Sequence, residues 1–432
     1  MLVRNATLAD GRVRDVRIDG ERIAAVGTDL AVDGRTVNAR ERLLLPGAID
    51  VHTHFREPGA SHKETWETGS RSAAAGGVTT VVDQPNTDPP TTTGAAYGRK
   101  ERLAEASVID YGINGGVTAD WDPEALFDRP LFALGEVFLA DSTGDMGIDG
   151  DLFEDAVARA TEKGVAVTVH AEDATRFDSS VRESGRGGGT GAEADADAWS
   201  AYRTAEAEIA AVERAVETGA DLDARLHIAH TSTPEAVDIV ADAPDTVTCE
   251  VTPHHLLLSR ADLDELGTFG RMNPPLRSEK RRTALYDRVI DGAVDMIATD
   301  HAPHTRSEKE TTLWDAPSGV PGVETMVPLL LAETRSGPLT VERVRELTAS
   351  APADAFDLDR KGRIEEGMHA DLALYDLEQT RAVEESLLHS KCGWTPFAGR
   401  DGVFPEWTMG RGERVYDGGM DAVREVDGEN VR

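Results

Sequence analysis

The chain is poor in cysteine and in long apolar runs. Its two cysteines, Cys249 and Cys392, are too few for a disulfide framework, and neither has a CxxC partner. No apolar run approaches the roughly 20 residues that a membrane-spanning helix needs. From Met1 to Gly11 there is no basic start followed by an apolar stretch, so no secretory signal is visible. We therefore expect a soluble, cytoplasmic protein.

Aromatic residues are also scarce. They make up 5% of the chain, whereas hydrophobic residues reach 40%, so the core must consist mainly of Ala, Val, Leu and Ile. A length of 432 residues allows two or three domains, or one barrel with an appendage.

Basic residues are outnumbered by acidic ones. Lys and Arg total 45 against 79 Asp and Glu, which gives a formal net charge of −34. A surface this acidic repels nucleic acid and anionic membranes, so we expect a small-molecule substrate and leave a homo-oligomer open. The acidic residues are spread along the chain, which favours adaptation to high salt. An ordinary acidic cytosolic protein is the alternative.

The two ends of the chain resemble each other and differ from the middle. Short strand-like runs separated by Asp-Gly turns occupy the N-terminal stretch, and similar runs occur at 370–375 and 407–416. We expect one small β-sandwich domain built from residues 1–47 and 356–432, and a second domain, a barrel, between them at residues 48–355.

The middle of the chain alternates between strands and helices. Segments with helical spacing, such as Ala205–Glu217 and Glu279–Val289, lie between the strands. Eight strands in this alternation predict an α/β fold, a (β/α)8 TIM barrel. The predicted strands are Ala48–His54, Val78–Gln84, Ile109–Gly115, Ala133–Leu139, Val165–His170, Arg225–His230, Thr246–Val251 and Asp295–Asp300. The glycine-rich segment Ser184–Asp197 interrupts the rhythm, and we expect a flexible surface loop there, with a functional lid as the alternative.

Histidines and an aspartate stand at the ends of four predicted strands. His52 and His54 are two residues apart and so point to the same face of the first strand. Active sites of such barrels lie at the carboxyl ends of the strands. The donors are imidazole and carboxylate, which zinc accepts. The remaining members of the set are His170, His230 and Asp300.

Several motifs together resemble those of the dihydroorotases, and the resemblance covers nearly the whole chain. Asp50–Gly59, which reads DVHTHFREPG, is similar to the first signature of that family, and Ala298–His304, which reads ATDHAPH, is similar to the second. Further matching segments are Asp83–Thr87, Thr252–Leu256, Met272–Arg277, Gly322–Met326 and Trp394–Phe397.

The resemblance implies a role for each matching residue. His52 and His54 would bind the more buried of two zinc ions, and His170 and His230 the second. Asp300 would touch the first zinc and act as general base and acid in closing N-carbamoyl-L-aspartate to L-dihydroorotate during pyrimidine synthesis. The substrate carboxylate would be held by Arg56, Asn86 and His304. The substrate ring would be contacted by Asn273 and the backbone near Gly322.

The fourth strand departs from the family pattern. Many relatives carry there a lysine whose carbamate bridges both metals, whereas this chain has Glu136. Glutamate supplies a carboxylate without the modification but reaches several Å less far. Either the backbone approaches the metals, or the metals shift, or only one is held tightly. Two alternatives stay open: Glu136 faces the barrel interior without binding a metal, and Asp141 is a second candidate ligand.

Two other functions compete with this interpretation. A hydantoinase or allantoinase would share the metal histidines but would not need Arg56 to bind a carboxylate. A non-catalytic homologue would have no need for the complete ligand set, and only Glu136 favours it.

The acidic composition predicts that stability depends on salt. The Debye length falls from ~30 Å at 0.01 M to ~3 Å at 1 M ionic strength, which shortens the repulsion among surplus carboxylates. The thermal unfolding midpoint should therefore rise with KCl concentration. A flat or falling midpoint between dilute buffer and molar salt would contradict adaptation to high salt.

Overall fold

The N-terminal segment forms five short strands. Tight turns separate the first three, and Gly11 and Gly20 have φ of +79° and +56°, values that glycine adopts without strain. This computed structural model describes residues 1–32, 34–139, 146–418 and 426–432. The strands are β1 (Leu2–Thr7), β2 (Val13–Asp19), β3 (Arg22–Gly27), β4 (Thr36–Asn38) and β5 (Leu43–Pro46).

The middle of the chain forms the predicted barrel. All eight predicted strands are present, although most are shorter by a few residues, and the short β10 is an addition that pairs in parallel with β9. The strands are β6 (Ala48–Thr53), β7 (Val78–Asp83), β8 (Asp110–Ile113), β9 (Leu134–Leu139), β10 (Gly147–Ile148), β11 (Val167–Ala171), β12 (Leu226–Ile228), β13 (Val247–Val251) and β14 (Met296–Ile297).

Parallel pairing closes these strands into a ring. The ladders run β6-β7-β8 and β9-β11-β12-β13-β14. Single parallel bridges join the two groups, from Gly115 to Leu134 and from Thr53 to His301. All the strand carboxyl ends therefore meet at one mouth, which is where the predicted ligands lie.

Helices connect the strands, and the two segments with predicted helical spacing are helical as expected. The helices are α1 (Trp66–Ala75), α2 (Gly94–Ala104), α3 (Pro123–Phe127), α4 (Gly150–Lys163), α5 (Ser179–Glu183), α6 (Asp197–Tyr202), α7 (Ala205–Asp221), α8 (Pro234–Ala241), α9 (Pro253–Leu257), α10 (Leu263–Leu266), α11 (Glu279–Asp291), α12 (Arg306–Lys309), α13 (Met326–Glu333), α14 (Val341–Arg345) and α15 (Ala351–Ala355). In the part of the chain described, no helix combines the length and apolarity needed to cross a membrane.

Strands from the C-terminal segment complete the sheet of the N-terminal strands. The C-terminal strands that join it are β15 (Leu372–Tyr375), β18 (Pro405–Gly410) and β19 (Glu413–Tyr416), whereas β16 (Arg381–Ala382) and β17 (Asp401–Gly402) pair with each other in a separate small sheet. The shared sheet has the order β19-β18-β15-β5-β1-β2-β3, and β4 pairs with β1. The predicted run 407–416 is in fact a hairpin, because Arg411 and Gly412 turn the chain with positive φ. The domain limits at residues 47 and 356 stay a prediction.

A buried ionic cluster joins this sheet to the barrel. Lys361 Nζ lies 2.6 Å from Asp110 Oδ2, at the start of β8, and 2.6 Å from Asp371 Oδ2, just before β15. Arg411 Nε is a second cation on Asp110, at 2.9 Å. All but Arg411 are less than a tenth exposed, so each charge relies on its partners.

Replacing Lys361 by Met should destabilise the protein strongly. Two buried carboxylates would lose their shared cation, and breaking a buried pair in this way costs about 3–5 kcal/mol. Denaturant unfolding at fixed salt measures the difference. The exposed Lys280→Met is the matched control, with an expected change within about 0.5 kcal/mol. Equal unfolding free energies for the two variants would contradict the role of the cluster.

Candidate metal centre and substrate site

The structure brings all six predicted metal ligands together at the barrel mouth. Each comes from a barrel strand or from the residues that follow one, and β-strand geometry aims alternate side chains to the same face. Their side chains are at least nine-tenths buried. The six are His52 on β6, His54 directly after β6, Glu136 on β9, His170 on β11, His230 after β12 and Asp300 after β14.

The Glu136 carboxylate lies between two pairs of histidines. Its Oε1 atom is 3.0 Å from His170 Nδ1 and 2.7 Å from His230 Nε2. Its Oε2 atom is 3.5 Å from His52 Nε2 and 3.9 Å from His54 Nε2. Each histidine pair, with the carboxylate oxygen that faces it, forms a compact donor group. One side chain can thus serve two neighbouring ion positions.

A glycine explains how the short glutamate side chain reaches this position. Gly135 has φ of +140°, and a Cβ there would lie 2.1 Å from Thr168 Oγ1 and 2.3 Å from Thr168 O. Only glycine permits β9 to approach β11 this closely. The approach brings the Glu136 backbone toward His170 and shortens the distance to be spanned. Asp141, the second candidate ligand, lies outside the described residues.

Acceptors behind the first histidine pair fix the direction of their rings. His52 Nδ1 lies 2.5 Å from Glu250 Oε1, and His54 Nδ1 lies 2.7 Å from Asn86 Oδ1. Both oxygens can only accept, so Nδ1 carries a proton in each ring, and Nε2 is the nitrogen that would bind a metal once it has lost any proton of its own. His52 Nε2 is buried and has no hydrogen-bond partner among the described residues. A metal ion would satisfy it, so these residues fit the group.

A second carboxylate supports His170. Glu172 Oε2 lies 3.3 Å from His170 Nε2, and the Arg203 guanidinium holds Glu172 with two contacts. Glu250 likewise contacts His227 Nε2 at 3.1 Å, so one carboxylate supports two histidines. Glu172 and Glu250 are supporting residues to which the sequence alone assigned no role. The sequence feature that could have identified them is an acidic residue in, or directly after, a buried apolar strand, because such a carboxylate needs a partner.

Positive φ values cluster at this mouth. Arg56, His230 and Asp300 have φ of 63°, 34° and 46°. Such backbone conformations are unfavourable for residues other than glycine and concentrate at functional sites. The three residues include two predicted metal ligands and the predicted carboxylate-binding arginine.

A cavity opens beside the six ligands. Arg56, Asn86 and Asn273, three of the predicted substrate residues, line it together with five of the six ligands. Phe138, Ala302, Ser318 and Gly319 complete the lining. Asn86 uses its Oδ1 atom to hold His54, which leaves its NH2 group for a ligand.

Two predicted substrate residues are placed differently. Gly322 is absent from the cavity lining, and its N–H donates to His301 Nδ1 at 3.1 Å. His304 is also absent from the lining. Lys63 Nζ, which can only donate, lies 3.0 Å from His304 Nδ1, and His304 Nε2 lies 2.9 Å from Ser318 O. This pattern assigns the proton to Nε2 and directs both ring nitrogens of His304 to the protein.

The Arg56 guanidinium faces this cavity with few partners. Its Nε donates to Pro303 O at 3.2 Å. Nη2 lies 3.1 Å from His304 Nε2, but that nitrogen already carries a proton and cannot accept. Within the described ranges Arg56 forms no ion pair with a carboxylate. A half-buried guanidinium in this state favours an anionic ligand.

The fold and the site define the class of protein. The chain belongs to the amidohydrolase family, whose model matches residues 43–392. A dihydroorotase of Halobacterium salinarum is 62% identical over 435 residues, which cover 100% of this chain and 99% of that protein. A dihydroorotase of Methanosarcina acetivorans is 43% identical over 420 residues, which cover 94% and 89% respectively.

Solved structures of cyclic amidases share the fold. An L-hydantoinase of Arthrobacter aurescens superposes with a TM-score of 0.92 at 26% identity, covering 99% of this chain and 98% of that one. A dihydropyrimidinase of Brevibacillus agri gives a TM-score of 0.89 at 28% identity, covering 100% and 98%. These similarities confirm the predicted barrel and β-sandwich fold and the family.

Removing the charge behind His52 should weaken metal binding. Glu250→Gln keeps the size of the side chain but loses the carboxylate that orients His52, and such supporting partners typically contribute 10–100-fold in metal affinity. Competition with a chelator, using Zn²⁺ as the probe, measures the loss. The exposed Glu213→Gln serves as control. Unchanged affinity in Glu250→Gln would show that His52 needs no support.

Proposed function

We propose that this protein catalyses the reversible cyclisation of N-carbamoyl-L-aspartate to L-dihydroorotate in pyrimidine synthesis. The observation that carries the proposal is Arg56, a guanidinium with no carboxylate partner in the described structure, in the same cavity as Asp300 and Glu136. Both substrates bear a free carboxylate, which a guanidinium binds with two parallel hydrogen bonds. The name of the 62% identical relative supports the same reaction.

We propose two zinc ions as the cofactor. His52, His54 and Asp300 would hold one, His170 and His230 the other, and Glu136 would contribute one oxygen to each. Imidazole nitrogen and carboxylate oxygen suit zinc. When bound, zinc lowers the pKa of water toward 7 and polarises a carbonyl oxygen. This is the assistance that opening a cyclic amide at neutral pH requires.

Asp300 would move the proton. Burial raises the pKa of Asp300, but the hydrogen bond with His54 and the charges of His52, His54 and His230 lower it to about 2. The carboxylate is therefore ionised at neutral pH and able to accept. In hydrolysis it takes a proton from the attacking water and passes it to the ring nitrogen as the C–N bond breaks. In cyclisation the ureido nitrogen attacks the side-chain carboxyl carbon and Asp300 passes the N–H proton to the departing oxygen, which leaves as water with a second proton taken from solvent.

Of the two cations beside His304, Arg56 is the one whose charge faces the cavity. Lys63 lies 3.0 Å from Glu308 and is largely neutralised by it, whereas Arg56 keeps its charge for the cavity. Burial, together with the positive charges of Arg56, Lys63 and Lys309, holds the pKa of His304 well below its usual range. His304 is thus neutral, and because Lys63 and Ser318 engage both of its ring nitrogens, we propose that it does not bind the substrate itself.

A hydantoinase is the second candidate, because structures of that type superpose closely on this chain. Hydantoin lacks a carboxylate, so it would leave Arg56 without an anionic partner. A non-catalytic homologue is disfavoured because the six ligand side chains converge and a scaffold has no need for this.

Turnover on a panel of substrates tests the proposal. Purified protein in high salt, with its metal content measured on the same sample, should hydrolyse L-dihydroorotate and cyclise N-carbamoyl-L-aspartate. Hydantoin and allantoin should be poor substrates. Turnover of hydantoin without turnover of L-dihydroorotate would contradict the proposal.

Arg56→Lys should separate substrate binding from metal binding. A lysine ammonium is a point charge and cannot reproduce the paired contact, so KM should rise about tenfold or more at unchanged metal content. Arg99→Lys on the exposed face of α2 is the control. If Arg56→Lys instead loses metal and keeps the parent KM, Arg56 does not bind the substrate carboxylate.

A further inference from the structure

We propose that Trp199 is a positioning residue that fixes the side-chain amide of Asn273 for substrate binding. Trp199 lies on α6, directly after the glycine-rich segment, and is 7% exposed. Its indole Nε1 lies 3.2 Å from Asn273 Oδ1 and 3.1 Å from Met272 O. The inference rests on the proposed function and adds a specificity element to that site.

The chemistry of the indole decides which way the amide points. An indole N–H can only donate, so the Asn273 atom that faces it must be the carbonyl oxygen. The NH2 group, with its two donors, is then left for the cavity that Asn273 lines. Without the indole, the amide can rotate and present either end to the ligand.

Neighbouring side chains hold the indole itself in place. The Arg271 guanidinium stacks on the Trp199 ring at 3.8 Å, and Trp314 packs against its edge at 5.8 Å. Arg271 also donates to Ser318 Oγ at 3.2 Å and to Leu313 O at 2.5 Å. Ser318 lines the same cavity as Asn273, so the indole belongs to a continuous wall of the site.

The glycine-rich segment attaches α6 to this wall. Thr190 forms a β-bridge with Thr312, and Gly191 N–H donates to Thr311 O at 3.1 Å. Asp197, the first residue of α6, pairs with Arg260 through two contacts of 2.6 and 2.7 Å. The segment is therefore packed against the loop that follows α12, and this packing places Trp199 beside Asn273.

The fixed NH2 group would recognise a carbonyl oxygen. The ureide carbonyl is present both in L-dihydroorotate and in N-carbamoyl-L-aspartate, so the contact would form in the ground states of both. An interaction that substrate and transition state share affects KM and leaves kcat nearly unchanged.

Trp199→Phe tests this assignment, because it removes the N–H and keeps an aromatic ring. KM for L-dihydroorotate should rise about tenfold, the order expected for one lost hydrogen bond, while kcat changes less than about threefold. Zinc content and thermal midpoint should match the parent. Trp407→Phe is the matched control: it removes an indole donor that is similarly buried, at 4% exposure, but that lies on β18 and does not line the cavity.

A double-mutant cycle shows whether Trp199 acts through Asn273. If it does, Trp199→Phe should add nothing to the KM of Asn273→Ala. Independent, multiplying effects would overturn the inference, as would an unchanged KM in Trp199→Phe or equal KM values for the two tryptophan variants. A misfolded Trp199→Phe, shown by its thermal midpoint, would also overturn it, because the indole would then be structural. A parent without L-dihydroorotate turnover would instead overturn the proposed function.

Discussion

The site depends on compensating one buried negative charge. Glu136 is 2% exposed, and an isolated carboxylate in such surroundings is costly. Burial raises the pKa of Glu136, but the charge of His52 and hydrogen bonds with His170 and His230 outweigh it and hold the pKa well below its usual range. The four strands that carry these groups must therefore keep their register, since a shift of one residue would turn the ligands away.

The same requirement extends outward from the ligands. Each histidine turns one ring nitrogen toward Glu136. Its second ring nitrogen then needs a hydrogen-bond partner, or neighbouring side chains must fix the orientation of the ring. Glu250 serves His52 and His227, Glu172 serves His170, and Arg203 in turn balances Glu172. Behind β7, the buried pair of Lys100 and Asp83 fixes the Phe55 backbone N–H, and with it the loop that carries Arg56. In a buried polar network of this kind, the loss of any one partner is costly for the groups that depend on it.

Much of this arrangement could be predicted from the sequence because it depends on patterns among residues that are close together in the chain. Strand alternation places His52 and His54 on one face, and apolar runs mark the eight barrel strands. The network behind the ligands is not local. Glu250 meets His52 across 198 positions of the chain, and Trp199 meets Asn273 across 74. His304 could be recognised as a motif residue, but its engagement by Lys63 and Ser318 depends on how two loops pack.

Anomalous diffraction at the zinc edge, from crystals of the zinc-loaded protein, tests the central claim that Glu136 bridges two metal ions. We expect two peaks about 3.5–4 Å apart, one beside His52 and His54 and one beside His170 and His230, with one Glu136 oxygen bound to each ion. A single peak at full occupancy, or two ions with Glu136 bound to neither, would contradict it.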